Sequence, residues 1–198
     1  MLENILKSIR DTVKSIDGHH DYPTCPGIYA FMLKQNASLK EFGTQLQVIY
    51  VGIAKESLKK RDLGNHFKSS STGRSTLRRS IGAVLKSDLS IIAFSRNGTD
   101  SKREINNYTF DLEGNKVLTE WMRKNLVVGY WEDKNCIPYV KLRGLEEEVI
   151  KFLKPTLDLD RRTKKYNRMA NRLDELRDIC KEEALNNLKN KKYSSIKT

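Results

Sequence analysis

The sequence contains few cysteines, and their spacing matches neither a metal site nor a dithiol site. The three present, Cys25, Cys136 and Cys180, lie far apart, and no CxxC pair occurs. Zinc and redox chemistry, which use clustered thiolates, therefore receive no support. An odd number of isolated cysteines is typical of reduced thiols, and we expect a cytoplasmic protein.

The sequence also lacks an apolar run long enough to cross a bilayer, which takes about 20 consecutive apolar residues. Its opening stretch, MLENILKSIRDTVKSI, places charged residues between apolar residues at helical spacing. This spacing predicts an amphipathic helix, whereas a signal peptide has an unbroken apolar segment. We expect no contact with a membrane.

Negative charge is scarce relative to positive charge. The 198 residues include 37 Lys and Arg but only 25 Asp and Glu, which gives a net charge of +12. Such an excess favours a polyanionic partner, because lysine and arginine release condensed counterions when they neutralise phosphates. Nucleic acid is the leading candidate, and a hydrophobic fraction of 38% is sufficient for a folded core.

Short apolar segments rich in aromatic and β-branched residues predict strands. GIYAFMLK and LQVIYVGI are two such segments, and LSIIAF and LVVGYWE are two more. Helices are predicted around residues 57–67, after an N-cap at Ser75, over TEWMRKN, and over GLEEEVIKFL up to Pro155. A long amphipathic C-terminal helix follows, with an apolar stripe that includes Leu173 and Ile179.

Two tripeptides and three later polar residues form the most informative pattern. GIY at residues 27–29 and YVG at residues 50–52 lie on two neighbouring predicted strands, and Arg61, His66 and Glu146 follow in that order. This order, with the segments YVGIAKESLKKR and LEEEVIKFLKPTLD, resembles the GIY-YIG nuclease family. The run STLRRSIGAVL is also similar to small stand-alone bacterial members. The resemblance covers residues 26 to about 158.

The resemblance implies an α+β fold, with a small mixed, mainly antiparallel central sheet of about three strands flanked by helices. It divides the chain into an N-terminal helical extension (1–22), a nuclease-like domain (23–159) and a C-terminal helical extension (160–198). The implied activity is metal-dependent hydrolysis of DNA phosphodiester bonds, with Mg²⁺ or Mn²⁺ as the cofactor and no small-molecule cofactor. A non-catalytic nucleic-acid-binding module on the same fold is the alternative.

The resemblance assigns Glu146 to the metal, and the chemistry is reasonable because magnesium is commonly held by one carboxylate together with waters and phosphate oxygens. Its neighbour Glu147 is the alternative, and acidic residues also favour the first turn of a helix for electrostatic reasons. Helical phase places Glu146 at the edge of an apolar stripe that includes Val149 and Phe152.

Arg61, His66 and the two tyrosines are the other predicted catalytic residues. The planar guanidinium of Arg61 can hold two phosphate oxygens, which a lysine cannot do in the same way. His66 has an ordinary pKa of about 6.5, which suits a base near neutral pH. Tyr29 and Tyr50 can each donate or accept a hydrogen bond beside the phosphate, and the resemblance places Tyr29 near the attacking water.

Arg74, Arg78 and Arg79 are predicted to contact the DNA backbone, because clustered arginines beside a site usually serve that purpose. One residue departs from the family pattern: Asp158 stands where members often carry asparagine. Its carboxylate could bind metal, weaken phosphate binding or do neither. The sequence shows no zinc finger or helix-turn-helix, so it leaves sequence specificity and oligomeric state open.

Overall fold

The structure is a computed structural model that describes residues 1–16, 21–61 and 66–196, without the side chains of Arg61 and of residues 191–196. The strands in this part of the chain are β1 (Lys14–Ser15), β2 (Gly27–Leu33), β3 (Val48–Ala54), β4 (Ala93–Phe94), β5 (Thr109–Phe110) and β6 (Leu126–Glu132). The helices are α1 (Leu2–Asp11), α2 (Leu58–Arg61), α3 (Thr76–Val84), α4 (Lys102–Asn106), α5 (Leu112–Asn125), α6 (Tyr139–Leu153) and α7 (Ala170–Ile196).

The main sheet has four strands in the order β1-β6-β2-β3, and every neighbouring pair is antiparallel. Three strands are long, as predicted, and β1 adds a two-residue edge. β2, β3 and β6 are rich in β-branched and aromatic residues, which pack well on a pleated surface. The predicted α+β class is confirmed.

One face of the sheet packs against two helices and forms the hydrophobic core. α1 lies against β6, and α6 lies against β3. The buried residues of this core are Ile5, Ile9, Ile28, Ala30, Val51, Leu142, Val149 and Ile150. Because side chains alternate along a strand, the other face of β2 is left to Tyr29 and Phe31.

The chain divides into two compact units. Unit 1 comprises residues 1–67 and 121–170, and unit 2 comprises residues 68–120 and 171–198. The predicted segment boundaries after residues 22 and 159 stay a prediction. Among the helices of the described residues, none has the length and apolar character needed to span a bilayer.

Two segments, LSIIAF and TEWMRKN, differ in the structure from the predicted secondary structure. Of the predicted strand LSIIAF, only Ala93 and Phe94 are extended, and they pair with β5 in a separate two-stranded sheet. The predicted helix TEWMRKN is part of a longer helix, α5. The N-cap prediction is correct, since the Ser75 side chain accepts a hydrogen bond from the backbone N–H of Arg78.

The C-terminal helix buries part of the stripe predicted for it, which comprised Met169, Leu173, Leu176, Ile179 and Cys180. Leu173, Arg177, Cys180 and Ala184 are buried, and these positions recur every three or four residues on one helical face. Ile179 is about half exposed, so its assignment to the buried stripe is wrong. Ile179 and Cys180 are adjacent in the sequence, and both lie near the apolar face that helical spacing predicts. Only the packing of the folded helix decides which of the two side chains faces inward.

Candidate active site

Tyr29 and Tyr50 lie on adjacent strands and share the sheet face opposite the core. Tyr29 is in β2 and Tyr50 in β3, and their ring centroids are 6.4 Å apart. Their neighbours Ala30 and Val51 point into the core, so the two phenol rings point the other way. Tyr29 is fully buried, whereas Tyr50 is 8% exposed.

Gly52 makes room for the Tyr29 ring. It is the cross-strand partner of Tyr29 in the sheet. A Cβ atom on Gly52 would lie 2.5 Å from the Tyr29 Oη and 2.7 Å from its Cζ, closer than nonbonded atoms approach. The glycine of the second tripeptide therefore lets the phenol of the first tripeptide lie across β3.

We expect Gly52→Ala to lower the free energy of unfolding by about 1–3 kcal/mol, because the added methyl group overpacks a filled space. Gly144→Ala is the matched control, since a Cβ there meets nothing within 4 Å. In the interior of α6 it should raise stability by about 0.5–1 kcal/mol. Urea unfolding of both variants measures the difference, and equal stabilities would contradict the role given to Gly52.

His66 joins the two tyrosines in a buried aromatic cluster. Its Nε2 lies 2.9 Å from the Tyr29 hydroxyl oxygen, and the hydroxyl donates this hydrogen bond when Nε2 carries no proton. The imidazole centroid is 6.0 Å from that of Tyr50 and 5.6 Å from that of Phe31. The structure therefore brings together three of the five predicted catalytic residues.

Arg61 is the last residue of α2, and its side chain lies outside the described part of the chain. The helix itself is held against the segment that leads into β2. The backbone N–H groups of Leu58 and Lys59 donate to the carbonyls of Cys25 (3.0 Å) and Pro23 (2.9 Å). The helix predicted over residues 57–67 can be compared with the structure only for Leu58–Arg61 and from residue 66 onward.

Glu146 is a buried carboxylate on α6, and its partner is an arginine. Nη2 of Arg162 donates to Oε2 of Glu146 at 3.2 Å, and Nη1 of Arg162 lies 3.6 Å from Glu147. Burial raises the pKa of Glu146 above its ordinary value, although the hydrogen bond and charge of Arg162 oppose the shift. Sequence reasoning missed Arg162, which stands in a run of basic residues with no motif around it.

The buried stripe of α6 includes Glu146 itself. Leu142, Val149 and Ile150 are its buried apolar members, so Glu146 falls between them on the helical face that approaches the sheet. Phe152 is 64% exposed, and its predicted place in the stripe is wrong. The buried face of α6 is therefore rotated away from Phe152 and toward Glu146, relative to the predicted face.

Asp158 covers the outer edge of β3. Its Oδ2 accepts a hydrogen bond from the backbone N–H of Val51 (3.1 Å), and the backbone N–H of Leu157 donates to the carbonyl of Ile49 (2.9 Å). Because β3 is an edge strand, these bonds satisfy backbone groups that no other strand pairs. Burial raises the pKa of Asp158 well above its ordinary value, although the hydrogen bond from Val51 opposes the shift, and the raised pKa favours the neutral acid.

Asp158 also connects Glu146 with the tyrosine cluster. The charge of Glu146 is close enough to contribute to the raised pKa of Asp158. Asp158 contacts Val51, which directly follows Tyr50 in β3. The Glu146 carboxylate and the two phenols therefore belong to opposite sides of the sheet. β3 is the strand that connects them, because α6 packs against it and it carries Tyr50.

We expect Asp158→Asn to stabilise the protein increasingly as pH rises. A neutral amide can accept the same hydrogen bond, whereas the wild-type acid holds its proton more strongly in the folded protein than in the unfolded chain. The native state thus binds the extra proton, and wild-type stability falls above the ordinary aspartate pKa of about 3.9, by at most about 1.4 kcal/mol per pH unit.

Urea unfolding of Asp158→Asn and wild type from pH 4 to pH 8 tests this expectation, with Asp21→Asn, which removes an exposed carboxylate, as the control. The stability difference for Asp158→Asn should be small at pH 4 and grow toward pH 8. A difference that does not change with pH would show that Asp158 is ionised in the folded protein.

The three predicted DNA-binding arginines differ in exposure. Arg78 is fully buried: Nε donates to Thr72 Oγ1 (2.8 Å), Nη1 to Thr119 Oγ1 (2.8 Å) and Nη2 to the carbonyl of Asn115 (3.0 Å). Burial lowers the pKa of Arg78 to about 10. Its burial contradicts the predicted contact with DNA.

Arg79 is also buried, and its Nη1 donates to the carbonyls of Thr72 (3.2 Å) and Gly73 (2.8 Å). Its predicted contact with DNA is contradicted as well, because the guanidinium is engaged with backbone groups. Arg74 is exposed, and its contact with DNA stays a prediction. The sequence pattern cannot show which of these three arginines is exposed and which are buried, because all three belong to one basic segment.

Comparison with family models gave a match over most of the chain. A family model described as the GIY-YIG catalytic domain matches residues 26–179, a range that contains both tyrosines, His66 and Glu146. Neither a search of curated proteins nor a search of solved structures gave a match. Since the matched range covers most of the chain, the protein belongs to the GIY-YIG family, and its catalytic domain is a nuclease domain.

Proposed function

We propose that this protein is an endonuclease that hydrolyses DNA phosphodiester bonds with the help of Mg²⁺ or Mn²⁺. The observation that carries the proposal is the buried hydrogen bond between the Tyr29 hydroxyl and Nε2 of His66, next to Tyr50. Hydrolysis needs a group that removes a proton from the attacking water. A phenol in contact with an imidazole offers such a group and a second site for the proton.

The buried carboxylate of Glu146 is a hard oxygen ligand of the kind that a divalent ion of this type takes. Among the described residues, no three His, Cys, Asp or Glu side chains are grouped as a metal cluster. Magnesium does not require one, because it keeps several waters and is often bound through one or two carboxylates and substrate phosphates. Glu146 would hold the ion, which would supply Lewis-acid stabilisation of the charge on the leaving oxygen.

The chain's own residues have separate tasks in this proposal. Tyr29 takes the proton from water, and His66 accepts the phenol proton through the hydrogen bond between them. Arg61 binds the phosphate oxygens, where a guanidinium fork stabilises the charge that develops in the transition state. Tyr50, which is 8% exposed, contacts the same phosphate, while Arg162 orients the Glu146 carboxylate.

The net charge of +12 supports DNA as the substrate, and the exposed Arg74 is proposed to contact its backbone. A cytoplasmic location is likewise a proposal. It is supported by the three cysteines, which are all free thiols in the structure. Contacts with backbone phosphates are the same for every DNA sequence, so the proposal specifies no sequence that the protein would recognise.

Cleavage of supercoiled plasmid tests the proposal directly. Purified protein is incubated with plasmid and with Mg²⁺, Mn²⁺ or a chelator, and nicked and linear forms are separated on a gel. We expect nicking with either ion and none with chelator. Cleavage that persists in chelator would contradict metal dependence, and retardation without cleavage in every condition would contradict the endonuclease assignment.

A non-catalytic nucleic-acid-binding module is the second candidate. The observation that favours it is burial: neither Tyr29 nor His66 has any exposed surface. A module of this kind would bind DNA in a salt-dependent manner and leave the plasmid intact with every ion. The plasmid experiment therefore separates the two candidates.

A further inference from the structure

Unit 2 contains an open pocket of about 600 Å³ whose lining is mainly polar and basic. Its volume is within the range of about 300–1,000 Å³ that small-molecule sites occupy. The lining residues that matter for its chemistry are Arg74, Arg96, Asn97, Arg103 and Leu112. Three guanidinium groups around one cavity make a concave surface suited to an anion.

The positive charge of this pocket is only partly neutralised. Arg96 forms a two-pronged hydrogen-bonded ion pair with Glu104, in which Nε donates to Oε2 at 2.7 Å. Within the described residues, no carboxylate forms an ion pair with Arg74 or Arg103, and both arginines are exposed. The pocket therefore keeps two arginines that are available to a ligand, beside a third whose orientation Glu104 holds.

The segment that carries Arg74 is held rigidly by buried groups. It is the 3-10 helix Ser69–Arg74, and the guanidinium of Arg79 binds its backbone carbonyls at Thr72 and Gly73. The side chain of Arg96 lies directly against Gly73, where a Cβ would be 2.5 Å from the Arg96 Cδ. This support reduces the backbone conformational entropy that the segment would lose on binding.

We propose that this pocket binds a phosphate group of the nucleic-acid backbone. The inference rests on the proposed function in taking DNA as the substrate, and it adds the place on unit 2 where one backbone phosphate is held. Arg74 and Arg103 donate to the phosphate oxygens, and Asn97 supplies a neutral donor. Leu112 is 75% exposed at the rim and offers an apolar surface to the adjoining sugar or base.

The test measures DNA affinity with cleavage removed. A fluorescent duplex is titrated with protein that carries Glu146→Gln, in chelator, at several salt concentrations. The double variant Arg74→Gln/Arg103→Gln is compared with Lys102→Gln/Lys116→Gln, which removes the same charge from exposed residues of unit 2 outside the pocket. Circular dichroism checks that both variants keep the fold.

We expect the pocket variant to bind about tenfold more weakly, with a salt dependence reduced by about one phosphate contact, while the control keeps the parental salt dependence. Equal losses in the two variants would overturn the proposal, because net charge alone would then explain them. Because this test uses binding in chelator, its outcome is independent of whether the wild-type protein cleaves plasmid.

Thymidine 5′-monophosphate is the probe that shows whether the pocket binds a phosphate of a DNA strand or a free nucleotide. We expect it to compete with the duplex only at millimolar concentration, since one phosphate offers few contacts. Micromolar binding of the mononucleotide, abolished in the pocket variant while duplex binding is unchanged, would overturn the proposal. That result would assign the pocket to free nucleotides.

Discussion

Replacing Glu146 with glutamine is expected to lower plasmid cleavage by about a thousandfold or more. Glutamine keeps the size of the side chain and removes the negative charge that would hold a divalent ion. Lewis-acid stabilisation of a leaving oxygen is worth several kcal/mol, and each 1.36 kcal/mol corresponds to a factor of ten in rate. Initial rates of nicking under saturating Mg²⁺ measure the loss.

Two neighbouring substitutions serve as controls for Glu146→Gln. Glu147→Gln removes the carboxylate that lies 3.6 Å from Nη1 of Arg162, and Glu148→Gln removes an exposed one. Both should cleave within about tenfold of wild type, because neither carboxylate is buried on the face of α6 that approaches the sheet. A larger loss in Glu147→Gln than in Glu146→Gln would move the metal to Glu147.

DNA binding by Glu146→Gln in chelator distinguishes loss of the ion from loss of the fold. The variant should bind DNA as wild type does, since Arg162 keeps Asp160 and Glu147 as partners. A variant that neither binds nor cleaves would indicate that Glu146 mainly supports the structure through Arg162. In that case its buried ion pair, and not a metal, would be the reason for its position.

The strands that carry the tyrosines are predictable from the sequence because their signal is local. β2, β3 and β6 combine aromatic and β-branched residues in short runs bounded by loops, and each was predicted in type and approximate position. The same is true of the Ser75 cap, which needs only a hydroxyl before a helix. These features depend on neighbours within a few residues.

Features set by distant contacts were not predictable in the same way. The pairing of β4 with β5 separates LSIIAF from the main sheet, and nothing in that apolar run indicates its partner. Arg78 and Arg79 look like surface residues because the oxygens that bind them come from other segments, such as Thr72 and Thr119. A guanidinium is buried only when enough acceptors surround it.

The candidate site shows the same division. The tripeptides and the order of polar residues named Tyr29, Tyr50, His66 and Glu146 in advance. The reason for the glycine at position 52 became visible only when β2 and β3 were paired, since the contact crosses two strands. Arg162 had no sequence signal, because it acts on Glu146 from a basic segment 16 positions further along the chain.

Tyr29 and His66, which are joined by a hydrogen bond, should act as one catalytic unit. We expect Tyr29→Phe and His66→Gln each to lower the rate of plasmid cleavage by about 10²–10⁴-fold, the usual contribution of general acid–base catalysis. The double variant should be little worse than either single variant, because each substitution already breaks the proton path between phenol and imidazole. Cleavage rates of the four proteins form the complete cycle.

Tyr130→Phe is the matched control for this cycle. Tyr130 is the cross-strand partner of Tyr29 in β6, and its ring packs against Tyr22 and Lys14. Loss of its hydroxyl should leave cleavage within about threefold of wild type, because the hydrogen bond between Tyr29 and His66 does not involve Tyr130 and stays intact. If the losses in Tyr29→Phe and His66→Gln instead multiplied in the double variant, the two residues would act independently. The attacking water would then need a different base, and Tyr50 would be the next phenol to test, since its ring packs against both Tyr29 and His66.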